Sequence, residues 1–216
     1  MTGPLAYHAR ALRRFLRDEE GATLVEFTLV FGLYLLVFFG LLDFGRLAFH
    51  YVNMQRGLQV AARLAAVRPA ACAGVPEMNE RGVTPKDETE PQFGTNCSAK
   101  SWVCAAPATV SCSGATTNAT VAEIWPIVAP ALPNGSTAAN LSFSYSYDSE
   151  LGFLGGPYVP MVTVELQNVS FQFATPLGAL VGLVTGTADE NLDADIAFPS
   201  MSTSMPGEDL AQGAGS

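Results

Sequence analysis

Between Leu24 and Leu42 the chain reads LVEFTLVFGLYLLVFFGLL, nineteen residues with a single charge, Glu26. About twenty apolar residues suffice to carry a helix across the hydrocarbon core of a bilayer. Within that core only a helix or a closed barrel satisfies its own backbone. A soluble core helix keeps a polar face, and this run has none. The segment therefore predicts a single transmembrane helix, and the rest of the chain must be arranged around it. A secretory signal peptide would show a shorter apolar core followed by a small-residue cleavage site. Here the run continues and ends in Leu41-Leu42-Asp43-Phe44-Gly45-Arg46.

Charge gives the segment a direction. Arg10, Arg13, Arg14 and Arg17 precede it, and Asp43 follows it. By the positive-inside rule the N-terminus is cytoplasmic and everything after Asp43 is outside. The net charge of −9 is also unevenly placed: after Lys100 there is no Lys or Arg, while ten acids follow. Such a surface repels phosphate backbones, which excludes nucleic acid as a partner, and it does not dock on anionic lipid by charge. The 49% hydrophobic content is concentrated in the apolar run, so it overstates the core available to the remainder.

All four cysteines, Cys72, Cys97, Cys104 and Cys112, follow the apolar run. No C-x-x-C pair occurs, and the only histidines are His8 and His50, so zinc-ligand spacing is missing. An even number of cysteines beyond a membrane span predicts two disulfides in an oxidising compartment. Three pairings are possible, and the spacing does not choose among them.

Glu26 is the anomaly in the run. An ionisable group within a membrane segment costs several kcal/mol and marks function by default. The plain alternative is that it snorkels, standing only two residues inside the run. Gly21-Ala-Thr-Leu-Val-Glu26-Phe27, behind a short basic leader and opening a membrane helix, resembles the processing site of type IV pilins and pseudopilins. The Glu-Phe pair resembles the Flp/Tad branch in particular. Leu42-Asp43-Phe44-Gly45-Arg46, then Asn53, Gln55 and Ala61-Ala62-Arg63, are similar to TadE-like proteins, as is Pro199–Glu208 more weakly. The resemblance implies that prepilin peptidase cuts between Gly21 and Ala22 and that Glu26 is the family's signature glutamate at mature position five, with Phe27 beside it. Physics supplies a reason for such a pair. Cleavage would leave an ammonium on Ala22 near the apolar phase, and a carboxylate from a neighbouring subunit would compensate it. Paired charges tolerate burial better than single ones, and a buried polar pair fixes register between helices.

Beyond the membrane, Phe44, Leu47, Tyr51, Met54, Leu58, Ala61 and Ala65 recur at heptad spacing. Arg68 before Pro69 ends the pattern. One helix is therefore expected from Ala22 to Val67, about 69 Å long at 1.5 Å per residue. Its seam packs on the protein's own outer part, on other subunits, or on both. Residues 69–120 read as loop held by cysteines, with Thr109–Ser113 as a short strand. Val121–Val128 reads as a short helix ended by Pro126 or Pro130. Leu141, Phe143, Tyr145 and Tyr147 alternate with serines as a half-buried strand. Val162, Val164 and Leu166 alternate next, then Val169, Phe171 and Phe173, and the broken period predicts a bulge near Gln167-Asn168. Pro176–Val184 reads as a short apolar helix or turn, and Asp195–Phe198 is expected to close the sheet. The whole is α+β, a long helix packed on a small antiparallel sheet. The expected organisation is a leader over 1–21, a transmembrane helix over 22–42, an amphipathic helix over 43–68 and a disulfide-containing β-rich outer domain over 69–216.

No nucleophile–base pair, phosphate loop or metalloprotease motif occurs, and neither an enzyme nor a cofactor is expected. Asp189, Asn191, Asp193 and Asp195 alternate like the first half of a calcium loop. Ala194 and Ser200 stand where that loop needs glycine and glutamate, so a solvated acidic loop is the expectation. Five N-x-S/T sequons start at Asn96, Asn118, Asn134, Asn140 and Asn168; in a eukaryotic secretory protein they would be glycan acceptors, and in a Ser/Thr-rich bacterial chain they are mostly chance. The resemblance implies a TadE-like pseudopilin or minor pilin in a bacterial inner membrane, its outer domain periplasmic or carried into the pilus. Its implied partners are prepilin peptidase, other pilins and pseudopilins, the inner-membrane assembly platform and the lipid bilayer. The rivals are an uncleaved membrane-anchored binding domain and a type II secretion pseudopilin.

Overall fold

In the computed structural model of the chain, the residues described are 22–173, 195–208 and 210. Helix α1 spans Ala22–Val67, 46 residues without interruption. It stops where Arg68 precedes Pro69, whose ring restricts the residue before it to extended backbone. Four strands form an antiparallel sheet: β1 (Val110–Ser113), β2 (Leu141–Ser146), β3 (Met161–Leu166) and, last in the chain, β6 (Met201–Pro206), in the order β1-β2-β3-β6. Strands β4 (Ser170–Gln172) and β5 (Asp195–Ala197) make a separate two-stranded ribbon. A second helix, α2 (Ala119–Val128), follows β1. The architecture is α+β, a long N-terminal helix with a small antiparallel sheet.

The chain divides into two compact units, residues 1–46 with 173–194, and residues 47–172 with 195–216. The core of the second unit follows from strand alternation. Leu141, Phe143 and Tyr145 of β2 point to one face, and the serines between them to the other. Val162, Val164 and Leu166 do the same on β3. In register, Phe143 lies beside Val164 and Tyr145 beside Val162. This apolar face joins Met54, Leu58, Ala61, Ala62 and Ala65 of α1 and Val121, Ile124 and Val128 of α2 in one buried cluster. Three alanines on α1 let backbone and sheet approach closely, while Phe143 and Tyr145 supply the volume.

Two sequence expectations need correction. The broken period at Gln167-Asn168 is a strand boundary and not a bulge. Asn168 takes φ +55°, a left-handed conformation that asparagine tolerates, and the chain leaves the main sheet there. Asn140 holds the turn, its Nδ2 donating to the carbonyls of Gln167 and Asn168 at 3.1 and 2.9 Å. Nor does the segment from Asp195 close the main sheet: β5 pairs with β4, Phe171 opposite Ile196. The sheet is closed by β6, with Met201 opposite Leu166 and Thr203 opposite Val164. Polar MSTSMP carries no strong strand signal because only Met201 is buried, and its neighbours are exposed or half-exposed. Pro126 lies inside α2, which runs on to Val128 before Pro130. The expected element over Pro176–Val184 lies outside the described residues.

The five residues after α1 are each tied to the body. Arg68 forms a bidentate pair with Glu123, Nε–Oε2 and Nη2–Oε1 both 2.8 Å. The Pro69 carbonyl accepts from Thr120 Oγ1 at 2.7 Å, and the Ala70 carbonyl accepts from Asn118 Nδ2 at 3.5 Å. Asn118 is also the N-cap of α2, its Oδ1 accepting from the Thr120 and Val121 amides. The Ala71 amide donates to the Tyr145 hydroxyl at 2.8 Å. Cys72 is bonded to Cys112 on β1. Burial of the Tyr145 ring pushes its hydroxyl pKa up, so it stays protonated at physiological pH.

A second lobe is built from two long loops. Amides and carbonyls of residues 77–97 and 152–158 pair repeatedly, for example Leu154 N to Thr95 O at 2.8 Å and Tyr158 N to Glu77 O at 2.9 Å. Asn79, almost fully buried, donates from Nδ2 to the carbonyls of Phe153 and Pro157. Gly155, at φ +78°, is required because a Cβ there would meet the Phe93 ring at 2.4 Å. The disulfide Cys97–Cys104 packs with Val103 and Leu154 at its centre.

The two disulfides close loops of very different length, with sequence separations of 40 and 7. The chain-entropy argument then assigns about 4 kcal/mol to Cys72–Cys112 and about 2.5 kcal/mol to Cys97–Cys104. The expected result is that C72A/C112A lowers the denaturant midpoint of the outer domain more than C97A/C104A does, as read by near-ultraviolet circular dichroism.

Candidate functional site

The candidate site is α1 itself, and it is built in three parts. From Leu24 to Leu42 its large apolar side chains are exposed: Leu24, Phe27, Leu33 and Leu41 stand at 67%, 64%, 61% and 70%. None of the most apolar eighteen-residue window is buried within the protein. A water-soluble domain does not present such a cylinder, whereas lipid requires one. This is one long apolar N-terminal helix of the length and composition of a single-pass membrane anchor. Thr28, the polar residue in its second turn, turns its hydroxyl back to the Leu24 and Val25 carbonyls at 3.0 and 2.9 Å. Phe27, Phe31, Tyr34 and Phe38 stack in a row along one face, with centroids 5.6, 6.4 and 6.0 Å apart.

Glu26 lies in the first described turn of this helix, one turn from Ala22, and is exposed. Gly21 and the basic leader lie outside the described residues. At the far end of the apolar run Asp43 is buried, and its Oδ1 accepts from Arg46 Nη1 at 3.3 Å.

In the outer half the exposed and buried faces separate. Of the heptad positions, Met54, Leu58, Ala61 and Ala65 are fully buried, Leu47 is half-buried, and Phe44 and Tyr51 are exposed. Phe44 meets the Phe173 ring edge-on at 6.3 Å. The buried stripe is wider than the heptad, since Gly57 and Ala62 join it. Gly57 faces Val128 and Ala131, and a Cβ there would sit 3.5 Å from Val128. The heptad spacing missed both because they stand beside it, Gly57 next to Leu58 and Ala62 next to Ala61. His50 contacts the Phe171 ring at 5.9 Å centroid separation and takes part in no catalytic grouping among the described residues.

Cys72, Cys97, Cys104 and Cys112 form the pairs 72–112 and 97–104. No cluster of three or more His, Cys, Asp or Glu placed to hold a metal occurs among the described residues. Of the calcium-loop candidates, Asp189, Asn191 and Asp193 lie outside the described residues. The backbone of Asp195 opens β5, opposite Gln172.

At the outer end of α1 the Arg68 guanidinium, chiefly by its hydrogen bonds, holds the Glu123 carboxyl below the usual carboxylate range. A depressed folded value means that the pair contributes above the unfolded glutamate value of about 4.3, and that the contribution disappears as pH falls through the folded value. Because both groups are solvent-exposed, the effect is small. Glu123→Gln should therefore lower Tm slightly at neutral pH and leave it unchanged at about pH 3, as thermal melts in low salt would show.

The anchor makes a separate prediction. Leu, Val and Phe contribute fourteen residues between Leu24 and Leu42. At roughly −0.3 to −0.6 kcal/mol each, they favour insertion by about 4 to 8 kcal/mol, and a central lysine costs about 3. On these figures one lysine leaves insertion favourable, and two, at about 6 kcal/mol, offset most or all of the gain. The wild type is expected to resist alkaline carbonate extraction from membranes, and L33K/V37K to be extracted.

The family model of TadE-like proteins matches residues 21–63. No curated protein matches the chain. No solved structure matches it either. The matched stretch begins on Gly21, contains Glu26 and the whole apolar run, and continues through the arginine that follows Ala61-Ala62. TadE-like proteins are associated with Tad pili and serve in structure and assembly, not catalysis. Over residues 21–63, from Gly21 to the core-forming face of α1, the chain is similar to TadE-like proteins.

Proposed function

We propose that this chain is a pseudopilin or minor pilin of a Flp/Tad pilus system, cut by prepilin peptidase between Gly21 and Ala22. In this reading residues 1–21 are a cytoplasmic leader, residues 22–42 cross the bacterial inner membrane, and the remainder lies in the periplasm or travels into the pilus. The observation that carries the reading is the family match starting at Gly21, directly ahead of a helix whose apolar half is exposed on all sides. The two disulfides support an oxidising compartment for the outer part.

The chemistry of Glu26 gives the reading a mechanism. After cleavage the Ala22 ammonium would lie at the start of an apolar helix, where an isolated charge is costly. Glu26 of a neighbouring subunit would accept it as an ion pair, which fixes the axial register of adjacent helices. The lipid bilayer, other pilins and the assembly platform are then the partners of α1. Adhesion, attachment and secretion are the roles open to such a pilus.

The test is mass spectrometry of the protein recovered from membranes and from sheared pili. The wild type should begin at Ala22 in cells with prepilin peptidase and retain its leader in cells without it. Glu26→Ala should still be cut and still reside in membranes, but should be depleted from pili about tenfold or more. An intact Arg10–Arg17 leader in the presence of the peptidase would replace this reading with that of an uncleaved anchored binding domain.

A further inference from the structure

Charge is segregated within the outer part of the molecule. From Leu47 to Arg68 the helix carries Arg56, Arg63 and Arg68 and no acid. Arg68 is used by Glu123, whereas Arg56 and Arg63 are exposed and make no ion pair among the described residues. They belong to a stripe on the side of α1 away from its buried face: Phe49, Val52, Arg56, Gln59, Val60 and Arg63, at spacings of three, four, three, one and three. Phe49 is 67% exposed, Val52 45% and Val60 43%. The stripe is both apolar and basic, and nothing within the described molecule covers it. A cavity of about 510 Å³ opens beside it, lined by Gln59, Val60 and Arg63 of the helix and by Thr203, Ser204 and Met205 of β6. Among the described residues strand β6 is at the end of the sheet order and has no strand partner on its outer edge.

The lobe built from residues 77–104 and 147–158 has the opposite character. Glu77, Glu80, Asp87 and Glu150 make no ion pair among the described residues, while Glu88 and Glu90 are matched by Lys100 and Arg81. Among these acids, Met78 is 55% exposed and Val83 90%. Apart from the exposed Lys86 this surface is apolar and acidic, so it shares the apolar character of the helix stripe and opposes its charge.

We infer that the basic stripe of α1 and its groove receive the acidic Glu77–Asp87 surface of a second copy of this chain. The two patches are distinct, so the contact is head-to-tail and does not close on itself as a two-fold dimer would. The separation of the stripe from the apolar run along the helix favours a protein surface over anionic lipid as the occupant. Arg56 lies fourteen residues past Leu42, roughly 21 Å along the helix at 1.5 Å per residue, and Arg63 lies farther still. Buried apolar contact between Phe49, Val52 and Val60 and the region of Met78 and Val83 would hold the copies together, and the charges would select register and orientation. The inference concerns the outer domain and does not require cleavage of the leader.

The test uses the full chain in membranes with the photo-crosslinking amino acid p-benzoylphenylalanine in place of Gln59. Irradiation should give a dimer whose crosslinked peptide lies within residues 77–90. R56E/R63E should reduce the dimer about tenfold, and a partner copy carrying E77K/E80K should restore it, as complementary charge requires. Raising salt from low to about 0.5 M should weaken it as well. No dimer, a crosslink to lipid or to another protein, a crosslink outside residues 77–90, or a dimer indifferent to the reversals would each overturn the interface. The mature N-terminus, read on the same sample, reports processing separately. A chain that begins at Ala22 without the crosslink rejects the interface alone, and an uncut chain that crosslinks rejects the processing alone.

Discussion

The structure depends on packing the face of α1 that carries Met54, Leu58, Ala61, Ala62 and Ala65 against the apolar side of the sheet. Residues 47–67 of the helix would otherwise have little reason to stay folded, since isolated helices draw most of their stability from tertiary contact. Small residues on that face let the sheet come close, and Phe143 and Tyr145 fill the space between. The tethers on residues 68–72 then fix the chain where the helix ends. They use four chemistries: an ion pair, two side-chain bonds to carbonyls, a tyrosine acceptor and a disulfide. An extended outward helix is thereby converted into the central element of a domain.

The same helix has two surface patterns in succession, the first of the kind a single-pass membrane anchor carries. Over Leu24–Leu42 the side chains are apolar on every side, as lipid demands; over Met54–Ala66 they are apolar on one side only, as a domain core demands. Glu26 stands outside both rules, and this is why it attracts a functional reading. Within one chain its carboxylate faces the uncompensated amides of the first turn, which favour a negative charge there, and under the proposed processing it would also be placed to meet the amine of a neighbouring subunit.

Much of this was legible in the sequence, for identifiable reasons. The apolar run, the helix end at Val67 ahead of Pro69, and the alternation in β2 and β3 are strong signals that tertiary context does not override. The closing strand β6 was not legible, because an end strand with only Met201 buried carries a polar sequence. The turn at Asn168 resembled a bulge, because a broken period does not distinguish a residue inserted in a strand from a departure to another sheet. Side-chain bonds of Asn140 made the difference, and they join residues 27 and 28 positions apart. Asn118, Asn140 and Asn168 also gain a purpose that sequons conceal: cap, brace and left-handed turn. The interlocked loops around Asn79 leave no periodic trace, since their order comes from backbone pairing between distant segments and not from side-chain pattern.

The central claim is that one unbroken helix serves both the bilayer and the outer core. Amide hydrogen exchange of the full chain in lipid nanodiscs tests it most directly. The account predicts slow exchange across Leu24–Leu42 and across Met54–Ala66, with the second stretch staying protected when lipid is replaced by mild detergent. Fast exchange across Met54–Ala66 in lipid, at rates of an unstructured linker, would contradict it.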